Sequence, residues 1–124
     1  MEFQKDNSFF SGRFKSIGFA FKGVFKLITT EHSVMVQTFL AFIMVIAGFI
    51  FEISRVEWMM QILATGLVLG IESLNTAIEK IADFVHPEFH NRIGFIKDIA
   101  AGAVMFAAFA AIAVGLLIYV PKFL

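Results

Sequence analysis

The sequence has no cysteine and few charged residues, and each shortage excludes a class of protein. Without cysteine, the chain has no disulfide and no thiolate metal site. Only 16% of the residues are charged and 59% are apolar, whereas soluble domains have about 25% charged and about 45–50% apolar residues. Basic and acidic residues number 10 each, so the net charge says nothing about partners. The composition predicts an integral membrane protein, and the length predicts a single domain over residues 1–124.

The glycine-rich phosphate loops of soluble nucleotide-binding proteins are also missing. The sequence contains neither a GxxxxGK[ST] motif nor a kinase-type glycine-rich loop, which excludes a soluble nucleotide-binding fold. Residues 1–11 are polar and mixed in charge, without a continuous apolar core before a small-residue cleavage site. We therefore expect a mobile leader there and no signal peptide.

Residues 13–28 have helical periodicity with two different faces. Lys15, Lys22 and Lys26 lie on one side of this helix. The other side is apolar and consists of Phe14, Ile17, Phe21, Val24, Phe25 and Ile28. A basic, phenylalanine-rich amphipathic helix suits the plane of a membrane interface, although packing on the protein itself is an alternative.

Three apolar segments follow, at about 34–51, 58–85 and 99–120. At about 1.5 Å per residue, the first covers about 27 Å, which is enough to cross a bilayer. The second would be about 42 Å long as one helix and would exceed a hydrocarbon core of about 30 Å. Its carboxyl end should therefore emerge from the hydrocarbon region, and three transmembrane helices are predicted.

The connections between these segments are polar. Residues 52–57 predict a tight turn, and residues 86–97 predict a loop with Pro87 and Gly94 as breakers. The third segment is expected to stop at Pro121. It is rich in small residues that favour close approach of helices in lipid, namely Ala100, Ala101, Ala103, Ala107 and Ala108.

The basic residues predict the orientation in the membrane. Only Arg55 and Lys122 lie at one end of the predicted spans. The others gather at the opposite end: Lys5, Arg13, Lys15, Lys22, Lys26, Lys80, Arg92 and Lys97. The positive-inside rule places this end in the cytoplasm, together with the amino terminus and the loop 86–97.

A polar stripe begins inside the second span. Glu72, Asn75, Glu79 and Asp83 are spaced three or four residues apart and share one helix face. Ionisable groups inside a span are costly and indicate a functional site. A stripe of this kind facing lipid would be intolerable, so the helices of one chain or of several chains must close around it. Together with the small residues of the third span, this favours a homo-oligomer.

The residue types leave three functions open. Carboxylates without a His/Cys cluster favour a hard cation such as Mg²⁺, which completes its shell with water and substrate phosphates. Lys97 and Asp98, at the start of the third span, could contact phosphate and accept a hydrogen bond. Metal, positive charge and a base are the parts that phosphoryl transfer needs. The same residues also fit an ion or proton conduit built on Glu72, Glu79 and Asp83, or a structural polar seam.

The segment ESLNTAIEKIAD at 72–83, with KDIAAGAV at 97–104, resembles the signature of the prokaryotic diacylglycerol kinase family, including its undecaprenol kinase branch. The similarity includes GFAFKG at 18–23 and Glu31, and it extends over about residues 13–121. It implies an all-α integral membrane protein with an N-terminal amphipathic surface helix and three transmembrane helices. Relatives of this kind work as homotrimers with active sites between subunits.

The resemblance also implies an activity, a location and partners. The implied reaction transfers the γ-phosphate of ATP to the hydroxyl of a membrane lipid, either diacylglycerol or undecaprenol, with Mg²⁺ as cofactor. The carboxyl-terminal half looks more like the undecaprenol kinase branch. The implied location is the bacterial inner (cytoplasmic) membrane, with the active site on the cytoplasmic side. No nucleic-acid partner is expected.

Carried onto this chain, the resemblance implies a role for each of ten residues. Glu72 would be the general base that takes the proton of the lipid hydroxyl. Glu31 and Glu79 would hold Mg²⁺ with the phosphates of ATP, and Lys97 would contact phosphate. The remaining residues implied to contact ATP or to support its pocket are Phe19, Asn75, Asp83, Glu88, His90 and Asp98.

Overall fold

The protein, described here by a computed structural model over residues 9–124, consists of four α-helices. They are α1 (Phe9–Thr30), α2 (His32–Ile50), α3 (Arg55–Val85) and α4 (Asn91–Phe123). In this part of the chain, α2, α3 and α4 are long and apolar enough to cross a membrane. The predicted all-α membrane architecture with an N-terminal helix is therefore confirmed.

The first helix is longer than the sequence pattern predicted. It begins at Phe9, so the last residues of the predicted leader 1–11 are helical, and the others lie outside the described residues. No residue of α1 is buried, which agrees with a helix that lies on a surface. A single extended residue, Glu31 with φ of −105° and ψ of 112°, separates α1 from α2. The backbone turns there, although the Glu31 N–H still donates to the Leu27 carbonyl at 3.1 Å.

The turn between α2 and α3 is shorter than predicted. Ser54 and Glu57 form a capping box, in which each side chain bonds the backbone N–H of the other residue. This arrangement satisfies N–H groups that would otherwise be unpaired at a helix start. The helix therefore begins at Arg55, and the prediction that residues 55–57 belong to the turn is wrong. Glu52 takes the left-handed conformation, with φ of 50°, where the chain reverses.

The loop between α3 and α4 is also shorter than predicted. His90 caps α4 by accepting a hydrogen bond from the Arg92 N–H at 3.0 Å, so the helix starts at Asn91. Gly94 lies in the second turn of α4 and does not break it, because one glycine costs a helix only about 1 kcal/mol. Pro121 does not stop the helix, which continues to Phe123. A proline so close to the end removes only one backbone donor.

Helix α3 lies at the centre and packs against both α2 and α4, most extensively against α4. Its buried side chains are mostly polar, namely Gln61, Glu72, Asn75, Thr76 and the small Ala82. Large apolar side chains such as Leu63, Leu74 and Phe84 are exposed instead. This pattern is the reverse of that in a soluble helix, because lipid tails accept apolar side chains and cannot satisfy polar ones.

Three contacts hold α3 to its neighbours at the end opposite Glu72. The indole of Trp58 lies directly over Gly48, where even a methyl group would be within 2.5 Å of a ring atom. One turn further along α3, the Gln61 amide donates to the Met44 carbonyl at 2.9 Å. The Tyr119 hydroxyl of α4 donates to Oε1 of the Gln61 side chain at 2.5 Å. These contacts give α3 a defined rotation relative to α2 and α4.

Candidate active site

The polar stripe of α3 runs from a buried end to an exposed end. The side chains of Glu72, Asn75 and Thr76 are 8%, 9% and 7% exposed, whereas Glu79 and Asp83 are exposed. Glu72 and Glu79 are separated by seven residues, or about 10 Å along the helix axis. One helix face thus presents a deep carboxylate and, nearer the end of the helix, carboxylates open to water.

The polar groups around Glu72 bond mainly within α3. The Asn75 Nδ2 donates to Glu79 Oε1 at 3.2 Å. The Thr76 hydroxyl donates to the Glu72 carbonyl at 3.1 Å. Among the buried side-chain atoms of the described residues, Asn75 Oδ1 alone has no hydrogen-bond partner. A buried amide oxygen without a donor is costly, so this position favours a ligand that brings positive charge or a donor.

Glu31 lies at the junction of α1 and α2, and its side chain is 23% exposed. Its Oε1 is 2.9 Å from the Nζ of Lys80 on α3. Residues 9–124 contain no cluster of three or more His, Cys, Asp or Glu side chains that could hold a metal. Two carboxylates nevertheless match Mg²⁺, which usually takes one or two of them and completes its shell with water and phosphate oxygens. Glu31, Glu79 and Asn75 carry oxygen donors of the type that this ion takes.

A pocket lies where α3 ends and α4 begins. Four of the residues predicted to form the nucleotide site line it, namely Asp83, Glu88, Lys97 and Asp98. Lys97 Nζ is 2.6 Å from Asp83 Oδ1, which links the two helices across the loop. The pocket is open to solvent and contains both signs of charge. It can accept an anionic ligand at Lys97 and hydrogen-bond donors at the carboxylates.

Two residues predicted for the nucleotide site lie elsewhere. His90 is not in the pocket lining, because its Nδ1 accepts the Arg92 N–H as the cap of α4. Phe19 is exposed on α1, and the Nζ of Lys22 lies 5.6 Å from the centre of its ring. Phe19 is likewise outside the lining of this pocket. The described structure therefore assembles part of the predicted nucleotide site and leaves these two residues apart from it.

Three residues near the site were not identified from the sequence. Thr76 follows Glu72 by four residues, so the helical spacing could have placed it on the same face. His86 lines the loop pocket and lies beside His90, with the ring centres 5.4 Å apart. The sequence did not indicate a role for Lys80, because its partner Glu31 is far away in sequence, at the junction of α1 and α2.

Comparisons with known proteins match most of the chain. Residues 18–119 match the model of the family described as prokaryotic diacylglycerol kinase. An undecaprenol kinase of Bacillus subtilis is 38% identical over 88% of this chain and 89% of its own length. A diacylglycerol kinase of Synechocystis is 32% identical over 88% of this chain and 63% of its own length. A diacylglycerol kinase of Escherichia coli is 26% identical over 79% of this chain and 80% of its own length.

Proposed function

Because the chain belongs to the prokaryotic diacylglycerol kinase family and is a lipid kinase, we propose that it phosphorylates undecaprenol with ATP. The observation that carries this choice of lipid is the 38% identity to an undecaprenol kinase over 89% of that protein. The identities to two diacylglycerol kinases are lower, at 32% and 26%. Diacylglycerol is the competing acceptor. We do not retain the alternative of an ion conduit, because the relatives are named undecaprenol kinase or diacylglycerol kinase, and both names describe kinases.

In this proposal, Glu72 is the general base. Its carboxylate is buried on α3 about 10 Å from the level of Glu79, measured along the helix axis. A lipid hydroxyl that enters sideways from the bilayer would reach this depth while its tail remains in the hydrocarbon. Glu72 takes the hydroxyl proton as the oxygen attacks the γ-phosphorus, and ADP leaves. Asn75, next to Glu72 on the stripe, orients the reacting groups by hydrogen bonding.

Glu31 and Glu79 are the proposed Mg²⁺ ligands. Their carboxylates, with the unpaired Oδ1 of Asn75 beside Glu79, provide the oxygen donors that this ion prefers. Bound there, Mg²⁺ would neutralise charge on the phosphates of ATP. Glu31 lies at the α1–α2 junction and Glu79 lies on α3. The ion can bind both carboxylates only if the junction and α3 keep a fixed position relative to each other.

The ATP pocket is proposed to lie at the α3–α4 loop. Lys97, whose Nζ is 2.6 Å from Asp83 Oδ1, would contact phosphate. Asp98 and Glu88, which line the same pocket, would accept hydrogen bonds from the nucleotide. His90 and Phe19 would join this site from the cap of α4 and from α1. The excess of basic residues at this end supports a cytoplasmic orientation in the bacterial inner membrane, where ATP is available.

The test is phosphate transfer from γ-labelled ATP with Mg²⁺, using purified protein in detergent micelles. Undecaprenol and diacylglycerol are offered separately and then in competition. We expect undecaprenol to be phosphorylated with the higher kcat/KM. Preference for diacylglycerol would overturn the choice of lipid and leave the kinase assignment intact. Transfer to neither lipid by folded protein would contradict the proposal as a whole.

A further inference from the structure

The ion pair between Lys80 and Glu31 lies at the proposed metal site. Lys80 extends from α3, one residue after Glu79, and its Nζ is 2.9 Å from Glu31 Oε1. The Lys80 side chain is 67% exposed, whereas that of Glu31 is 23% exposed. A mobile cation thus lies against a more enclosed carboxylate. This contact joins α3 to the one-residue break between α1 and α2.

Two other ion pairs within residues 9–124 have different surroundings. Lys122 pairs with Glu57 at the opposite end of the helices, at 3.2 Å, and both side chains are about one quarter exposed. Lys97 pairs with Asp83 inside the loop pocket. Only the Lys80 pair uses a carboxylate to which the proposed function assigns Mg²⁺. The ammonium and the metal would therefore compete for the same carboxylate.

We propose that Lys80 is a built-in counter-ion of Glu31, which a divalent cation must displace in order to bind. This inference rests on the proposed function, because it takes Glu31 to be a metal ligand. An ammonium group within 3 Å of the carboxylate repels an approaching cation. Lys80 therefore lowers the metal affinity of the site.

Displacement of Lys80 is physically easy. An ion pair with one largely exposed partner contributes little stability, because water solvates the released ammonium. The lysine stem is long and flexible, so the charge can move away while the backbone of α3 stays in place. The pair also keeps Glu31 neutralised before metal binds. Lys80 is then a residue that tunes metal affinity and does not itself touch the reacting atoms.

The test measures metal binding without turnover, with Mn²⁺ as the probe. Water-proton relaxation reports bound Mn²⁺ on the full-length protein in detergent, in the absence of ATP and lipid. We expect Lys80→Met to tighten Mn²⁺ binding by up to about fivefold, the upper limit that an exposed ion pair allows. Lys80→Arg, which keeps the charge, should not tighten binding. Lys122→Met, which removes a paired lysine at the other end, is the matched control and should change nothing.

A second set of variants separates this inference from the proposed metal site. Glu31→Gln should weaken Mn²⁺ binding, and adding Lys80→Met to it should bring no further tightening. If Glu31→Gln weakens binding but Lys80→Met does not tighten it, the counter-ion inference is overturned and the metal site stands. If Glu31→Gln leaves binding unchanged, both are overturned. Circular dichroism of each variant verifies that the helices are intact.

Discussion

At the scale of single residues, neighbouring carboxylates on one helix face have different surroundings. Glu72 is buried, and its backbone carbonyl accepts a hydrogen bond from the Thr76 hydroxyl. Glu79 is exposed and bonded to Asn75. Asp83 is exposed and paired with Lys97. A deep carboxylate suits proton transfer from a lipid hydroxyl, and the shallower ones suit contact with water-soluble ATP.

The first prediction concerns the proposed base. Glu72→Gln keeps the size of the side chain and removes the proton acceptor, so kcat should fall by at least about a hundredfold. ATP binding should be nearly unchanged, because the proposed nucleotide pocket is the one at the α3–α4 loop. Radiolabel transfer and equilibrium binding of an ATP analogue measure the two effects. Glu52→Gln, at the α2–α3 turn, is the control and should retain activity. Substantial turnover by Glu72→Gln would mean that another group is the base.

The second prediction concerns the positioning of Lys97. Asp83→Asn removes the negative charge 2.6 Å from the Lys97 ammonium. Without this partner the lysine samples more rotamers, so the KM for ATP should rise by up to about fivefold, while stability changes by less than about 1 kcal/mol. Steady-state kinetics and thermal unfolding test this. An unchanged KM for ATP in Asp83→Asn would show that Asp83 does not position the lysine.

At the scale of helices, side-chain caps and one close contact define where the elements begin and how they meet. The capping box of Ser54 and Glu57 caps the amino-terminal end of α3, and His90 caps that of α4. Gly48 lets the Trp58 ring approach the backbone of α2. Because α3 carries most of the proposed active site, its rotation relative to α2 decides whether the Glu72 face meets the α1–α2 junction.

The third prediction tests this contact between α2 and α3. Gly48→Ala would place a methyl group 2.5 Å from Trp58 Cη2 and 2.7 Å from Cζ2. The ring must move, which should cost about 1–3 kcal/mol of unfolding free energy. Gly115→Ala is the control, because an added Cβ there meets no atom within 4 Å. The Gly115→Ala variant should be as stable as the unaltered protein or more stable, since alanine in a helix is favoured over glycine by about 1 kcal/mol. Equal unfolding midpoints for the two variants in detergent would contradict the prediction.

At the scale of the whole molecule, the surface of one chain is strongly apolar. Large side chains on α2 and α4, including Phe39, Phe49, Phe106 and Leu117, are more than half exposed. In a bilayer, lipid tails or other copies of the chain cover such faces. Small residues on α4, such as Gly102 and Ala103, permit close approach of another helix.

The fourth prediction is that the active protein is a homotrimer with sites between subunits. Light scattering with correction for detergent should give the mass of three chains. Co-assembly of Glu72→Gln chains with Lys97→Ala chains should restore activity that neither variant has alone. Recovery follows because a site between subunits combines an intact Glu72 from one chain with an intact Lys97 from another. A monomeric mass, or no recovery in mixed assemblies, would contradict this arrangement.

The sequence alone determined the features that depend on local periodicity and length. It predicted three spans, an amphipathic first helix and a polar stripe on one face of α3, because these follow from residues a few positions apart. The ends of the helices were predicted less accurately, since the caps at Ser54 and His90 depend on the geometry of single hydrogen bonds. Only the tertiary structure brought Lys80 to Glu31 and Lys97 to Asp83. One pair joins α3 to the α1–α2 junction and the other joins α3 to α4. Periodicity within one helix carries no information about which side chains of different elements meet.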